Sequence, residues 1–95
     1  MITHVILFKL KGGSKENIEK TRDLLLTLKD SVPVVRFLEA GTDVLRSERS
    51  YDIALTVRFD SLEDLEAYQK HPAHRKIADY VRSIREAAAV VDYES

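Results

Sequence analysis

Period-two patterns of apolar positions mark two stretches of the chain. Between Tyr51 and Phe59, Tyr51, Ile53, Leu55, Val57 and Phe59 fall on one side, and Asp52, Ala54, Thr56 and Arg58 on the other. That period of two predicts a strand with one face in a core. Between Ile2 and Leu10, Ile2, His4, Ile6, Phe8 and Leu10 share a face, and Thr3, Val5, Leu7 and Lys9 share the other. Both faces of this first strand are apolar near its middle, as in a strand covered on both sides. Helical spacing takes over after the turn Lys11-Gly12-Gly13. Ile18, Thr21, Leu25 and Leu28, widened by Leu24, predict a helix over Lys15–Lys29 with Ser14 as its N-cap. Glu16, Glu19 and Asp23 toward its start and Lys29 at its end suit the helix dipole. Pro33 ends this helix. A second strand is predicted over Val34–Ala40, closed by Gly41, with a polar loop over Thr42–Ser50. Ser61-Leu62-Glu63-Asp64 has the form of a capping box. It opens a helix with Leu62, Leu65 and Tyr68 on one stripe. Pro72 interrupts that helix and starts another, where a missing N–H costs nothing. Ile77, Val81 and Ile84 then face inward, and Ala88–Tyr93 is a last short strand.

The order β-α-β-β-α-β, its second helical element split at Pro72, predicts an α+β fold. It is a ferredoxin-like sandwich, a four-stranded antiparallel sheet with helices on one face. Residues 1–95 form a single domain with no linker or internal repeat. Layer counting adds a consequence. Val5, Leu7, Ala54 and Thr56 leave the helix-free face substantially apolar, and such patches mark interfaces. The economical cover is a second copy, sheet against sheet, giving a homodimer of the dimeric α/β-barrel kind.

Composition narrows the function. The net charge of −1 with 33% charged residues mixes both signs, which excludes the basic excess of a nucleic-acid footprint. With no cysteine, disulfides, thiolate catalysis and cysteine-held metal centres are excluded. Ala87–Val91, the longest near-apolar run, is too short to span a membrane. The opening Met-Ile-Thr-His lacks the basic-then-apolar order of a secretion signal. A cytoplasmic protein that binds neither membrane nor nucleic acid is the expectation.

Chemistry rests mainly on the histidines. His4 lies among apolar strand neighbours, either as a core imidazole satisfied by a carbonyl or as a polar group of a pocket. His71 precedes Pro72 and is expected at the kink, pointing to solvent. His74, Ile77, Ala78 and Val81 share a helical stripe, so His74 should look toward the sheet. A helix N-terminus disfavours imidazolium, and a neutral imidazole is what a general base needs. Tyr68, inward on the preceding helix, is either an amphipathic core residue or a donor to a developing oxyanion. His71 and His74 across a proline make no dependable chelating pair, so no metal and no cofactor are expected. Phosphate-loop, dinucleotide, zinc-protease and nucleophile-elbow patterns are absent. Arg82 and Arg85 read as solvated surface or as sites for an anionic ligand.

Together His4–Lys11 (HVILFKLK), Gly41, Tyr51–Lys76 (YDIALTVRFDSLEDLEAYQKHPAHRK) and Val90–Tyr93 (VVDY) give a chain that resembles the stress-responsive α/β-barrel (Dabb) domain family along its whole length. The resemblance implies a dimeric α+β barrel. The family holds plant stress-induced proteins, some in large assemblies, and a plant polyketide cyclase that performs an aldol cyclisation without cofactor. By motif position the cyclase's base corresponds to His74, its assisting tyrosine to Tyr68 and a first-strand pocket histidine to His4. A third-strand histidine of that enzyme is replaced here by Ile53. The expected site is then a pocket under the helices for a small apolar organic ligand. Its wall would be Ile6, Phe8, Ile53 and Leu55, with His74 as base, Tyr68 as oxyanion donor and His4 as a rim polar group. Two alternatives stand beside it. One is a non-catalytic stress-protective or assembly module with no ligand cavity, its histidines serving only the helix junction. The other, at the level of fold alone, is a cofactor-free monooxygenase-like barrel.

Overall fold

A computed structural model describes the whole chain, Met1–Ser95. Its elements are β1 (Ile2–Leu10), α1 (Lys15–Leu26), the single turn α2 (Leu28–Ser31), β2 (Phe37–Thr42), β3 (Ile53–Phe59), α3 (Leu62–Lys70), α4 (Pro72–Ile84) and β4 (Arg85–Glu94). The strands form one antiparallel sheet in the order β2-β3-β1-β4, the predicted α+β ferredoxin-like arrangement. No helix is long and apolar enough to cross a membrane.

Each helix starts where its sequence says. Ser14 Oγ accepts from the Asn17 N–H at 3.2 Å, and Ser61 Oγ from the Asp64 N–H at 3.1 Å, each satisfying one of the donors a helix start leaves free. Boundaries move where a local side-chain hydrogen bond or tertiary pairing outweighs the apolar pattern. The first helix ends at Leu26, not Lys29, because the Thr27 hydroxyl competes for the Leu24 carbonyl at 2.6 Å. The turn that follows still buries Leu28 and then Val32. The second strand begins at Phe37, not Val34. Val32–Val35 form a turn, and pairing starts where the Arg36 N–H reaches the Arg58 carbonyl. Gly41 does not close that strand but pairs within it, opposite Ala54. The third strand starts two residues late, at Ile53, since Asp52 is engaged elsewhere. The last strand is longer than predicted because it leaves α4 without a loop and pairs along all of β1, from Leu10↔Arg85 to Ile2↔Glu94.

The core lies between the sheet and the helices. Phe8, Leu38, Leu55, Val57 and Phe59 point into it from the strands, and Ile18, Leu25, Leu65, Tyr68 and Val81 meet them from the helices. The helices do not share the sheet equally. Cover for β2, β3 and β1 comes mainly from α1, α2 and α3, while α4 lies closer to the other helices than to the strands and reaches the core through Ile77 and Val81. The helix side of β4 is consequently open, and Val90 is 58% exposed there. On the opposite face Val5, Leu7, Ala54 and Thr56 lie uncovered by any helix, with Val91 and Tyr93 beside them.

The buried carboxylate of Asp52 ties the β1 end to the β2–β3 loop. It accepts from the Leu10 N–H at 2.7 Å and from the Arg46 guanidinium at 2.9 Å. Arg46 holds a left-handed backbone, φ 56°, to reach it. Removing one partner of a buried charge-assisted pair leaves the other unpaired. Asp52→Ala should therefore lower the unfolding free energy by about 2–4 kcal/mol, and Asp52→Asn, which keeps an acceptor for Leu10, by less. Urea unfolding of both variants measures this; equal losses would show that the Leu10 hydrogen bond contributes nothing.

Candidate active site

The α3–α4 junction is built from one histidine and one proline. Pro72 biases His71 to an extended backbone, φ −63° and ψ 136°. From there the His71 N–H caps the Tyr68 carbonyl at 3.2 Å, and its Nδ1 accepts from the Ala73 N–H at 3.1 Å. His71 thus closes one helix and opens the next, and it does not line the cavity described next.

With α4 held off the strands, a cavity of about 250 Å³ lies between it and the sheet. His4, Ile6, Phe8 and Leu55 form its sheet wall, and Tyr68, His74, Ile77 and Val81 its helix wall. Arg82, Arg85 and the exposed Val90 stand at its opening. Three of the four expected apolar wall residues are in place. Ile53 is the exception: it is buried in the core opposite Phe8 and does not line the cavity. Its register partner Phe8 does line the void, so the void reaches this level along β1 but does not extend sideways to Ile53 on β3.

Tyr68 is wholly buried, its ring 5.0 Å from Phe59, 4.5 Å from His74 and 6.4 Å from His4 between centroids. Its hydroxyl has no hydrogen-bond partner. Burial pushes its pKa well above the ordinary tyrosine value, so the group is a donor and not a phenolate. His74 Nδ1 lies 3.2 Å from the carbonyl of Gln69, in the last turn of α3. A carbonyl only accepts, so Nδ1 carries the proton, and in the neutral ring Nε2 keeps the basic lone pair. Burial lowers the His74 pKa. The Gln69 hydrogen bond opposes that shift, while His4 and Arg82 add to it.

One partner escaped the sequence reading. Asp92 Oδ1 accepts from His4 Nδ1 at 2.5 Å. The two are register partners across β1 and β4, so both side chains share the cavity face of the sheet. The carboxylate fixes the His4 ring and directs Nε2 away from β4, as an orienting acid does for an imidazole. The available signal was alternation in the last strand, which puts Ala88, Val90 and Asp92 on one face; pairing Asp92 with His4 needed the register. No three His, Asp or Glu side chains converge as metal ligands would.

The family model described as the Stress Responsive A/B Barrel Domain matches residues 2–95. The chain belongs to this family. Among its relatives is the olivetolic acid cyclase of Cannabis sativa, 31% identical over 97% of this chain and 94% of the enzyme. A solved dimeric protein of ferredoxin-like fold from Bacteroides fragilis is 28% identical, with a TM-score of 0.87 over 99% of this chain and 95% of its own. The hydroxynitrile lyase of Passiflora edulis, 18% identical, shares the fold with a TM-score of 0.84 over 97% of this stress-responsive barrel domain and 90% of the lyase.

The His74 titration carries a sign that can be checked. Its folded pKa lies below the ordinary 6.5, so the unfolded chain binds the proton more readily. The stabilising effect is present above pH 6.5 and is lost as pH falls toward the folded pKa. NMR titration of the imidazole should give a midpoint below 6.5, and His74→Gln should weaken the fall in stability on acidification. A midpoint at or above the ordinary value would contradict the burial described.

Proposed function

We propose that the cavity binds a small organic molecule and performs cofactor-free proton transfer on it, with His74 as base and Tyr68 as oxyanion donor. The observation that carries this is the orphan Tyr68 hydroxyl. A buried hydroxyl without a partner costs about 1–3 kcal/mol, and few groups are left in that state. Here it belongs to a residue lining a void, beside a neutral imidazole whose free nitrogen is basic. The hydroxyl has no accessible surface in the empty protein. An oxygen entering the void would therefore complete the tyrosine after a small shift of the rings around it, and a carbon-bound proton beside that oxygen would meet His74. His4, oriented by Asp92, supplies a further polar group. A carbonyl compound with an acidic α-proton fits this set. The cyclase relative supports the class of chemistry, and the cavity favours ligand binding over a purely protective or assembly role, which calls for packed side chains at this place.

The active unit is proposed to be a homodimer through the helix-free face of the sheet. Val5 and Leu7 at its centre are only partly covered, Val91 and Tyr93 are 55% and 47% exposed, and Arg58 lies over the Phe37 ring at 5.0 Å. The Bacteroides fragilis relative is dimeric. Leu7→Arg places a charge in the middle of that face and should convert a dimer to a folded monomer, read by light scattering on a sizing column. A wild-type protein that elutes as a monomer would remove the assembly.

Proton transfer is tested by exchange of the α-protons of β-dicarbonyl esters into deuterated water. His74→Ala should slow the protein-accelerated exchange by about 10²–10⁴-fold. Tyr68→Phe should slow it as well, yet leave the melting temperature unchanged or higher, because it deletes an unsatisfied polar group. If His74→Ala retains full acceleration, His74 is not the base.

A further inference from the structure

On the cavity face of the sheet the Asp92 carboxylate is taken up by His4, which leaves the arginines as the charge at the opening of the cavity. Arg82 and Arg85 stand at its opening and His4 and His74 in its wall, yet no Asp or Glu side chain lines it. This holds in a chain whose net charge is −1. The two arginines differ. Arg82 is paired with Asp79 on the outer surface of α4. Arg85, partly buried at the junction of α4 and β4, has no ion pair among those the fold makes. Arg49, Arg58 and Arg75 also lack an ion pair, but all three are exposed and none borders the cavity; Arg85 alone is both unpaired and partly buried beside it. A guanidinium left without an anion beside an apolar void keeps its planar donors available for a carboxylate-like group.

We infer that the ligand of this cavity is an amphiphilic organic anion, its apolar body between α4 and the sheet and its carboxylate at Arg85. The volume of about 250 Å³ falls just below the ~300–1,000 Å³ of ordinary small-molecule sites, which sets the size of the enclosed part at a short chain or one ring. Arg85 starts β4 opposite Leu10, while His4 and Asp92 pair further along the same two strands. The anion is thereby held at one end of the void and the basic nitrogens lie along it. Arg82 is near enough to influence His74 but is paired with Asp79, so Arg85 is the cation left to draw an anion inward.

The inference rests on the cavity being a small-molecule site, and the two fail differently. Octanoate and 1-octanol have the same apolar chain and differ in the anionic head. Calorimetric titration of the intact protein at low salt should show octanoate binding about tenfold or more tighter than octanol. Arg85→Gln should remove most of that preference while leaving octanol affinity as it was. Arg75→Gln, on the exposed side of α4, should leave both affinities unchanged. Equal affinities in the wild type, or a preference that survives Arg85→Gln, would overturn the anion assignment and leave the cavity as a binding site. Binding of neither probe would overturn both.

Discussion

A proline forbids the helical conformation to the residue before it, and that steric fact at Pro72 decides where α4 runs. Without the break, α3 would continue in its own direction and Tyr68 and His74 would sit on one rod. With it, His71 caps both helices, α4 turns to pack on its fellow helices, and the strands beneath it stay partly uncovered. The void is the space this turn leaves. The same turn brings the His74 ring to 4.5 Å from the Tyr68 ring and gives its Nδ1 the Gln69 carbonyl, which a helix end would otherwise leave unsatisfied. One backbone constraint thus makes the cavity, aligns the His74 imidazole and selects its tautomer.

Burial then divides the labour between the two side chains. Desolvation disfavours whichever form is charged. It raises the phenol and lowers the imidazole. Near neutral pH the tyrosine is accordingly a donor and the histidine an acceptor, the pairing an enolisation requires. The cost of an unpartnered hydroxyl is borne by the well-packed surroundings of Phe59 and Leu65, both in the core. A buried group that weakens the empty protein and is satisfied by a ligand converts that deficit into affinity.

The stripes of the sequence carried much of this. Alternation in β1 and β3 was enough to give their faces, and helical spacing was enough to turn Tyr68 and His74 inward. Where the strand boundaries slipped, the deciding partner was remote in sequence. The start of β2 depends on the carbonyl of Arg58, and the extent of β4 on the whole length of β1. Asp92 went unnoticed for the same reason: its chemistry exists only opposite His4, and register is not a local property. Ile53 was placed in the pocket wall by its face, correctly inward; how far across the sheet from β1 the void reaches depends on where α4 stands. A cavity is a place without side chains, and no residue spells it.

The position of β1 connects the proposed dimer to the proposed chemistry. As an inner strand it presents His4 and Ile6 to the cavity and Val5 and Leu7 to the open face. Its neighbour β4 is an edge strand, hydrogen-bonded on one side only and without helix cover. Asp92 therefore rests on an edge strand held by β1 alone, although it fixes the His4 ring. Cover over Val91 and Tyr93, the residues flanking Asp92 on the opposite face, would hold this strand against β1 and with it the 2.5 Å contact to His4. An edge strand left bare is also prone to unwanted pairing. Association through the open face thus supports the site from behind, so the two copies need share no catalytic group for activity to depend on the dimer.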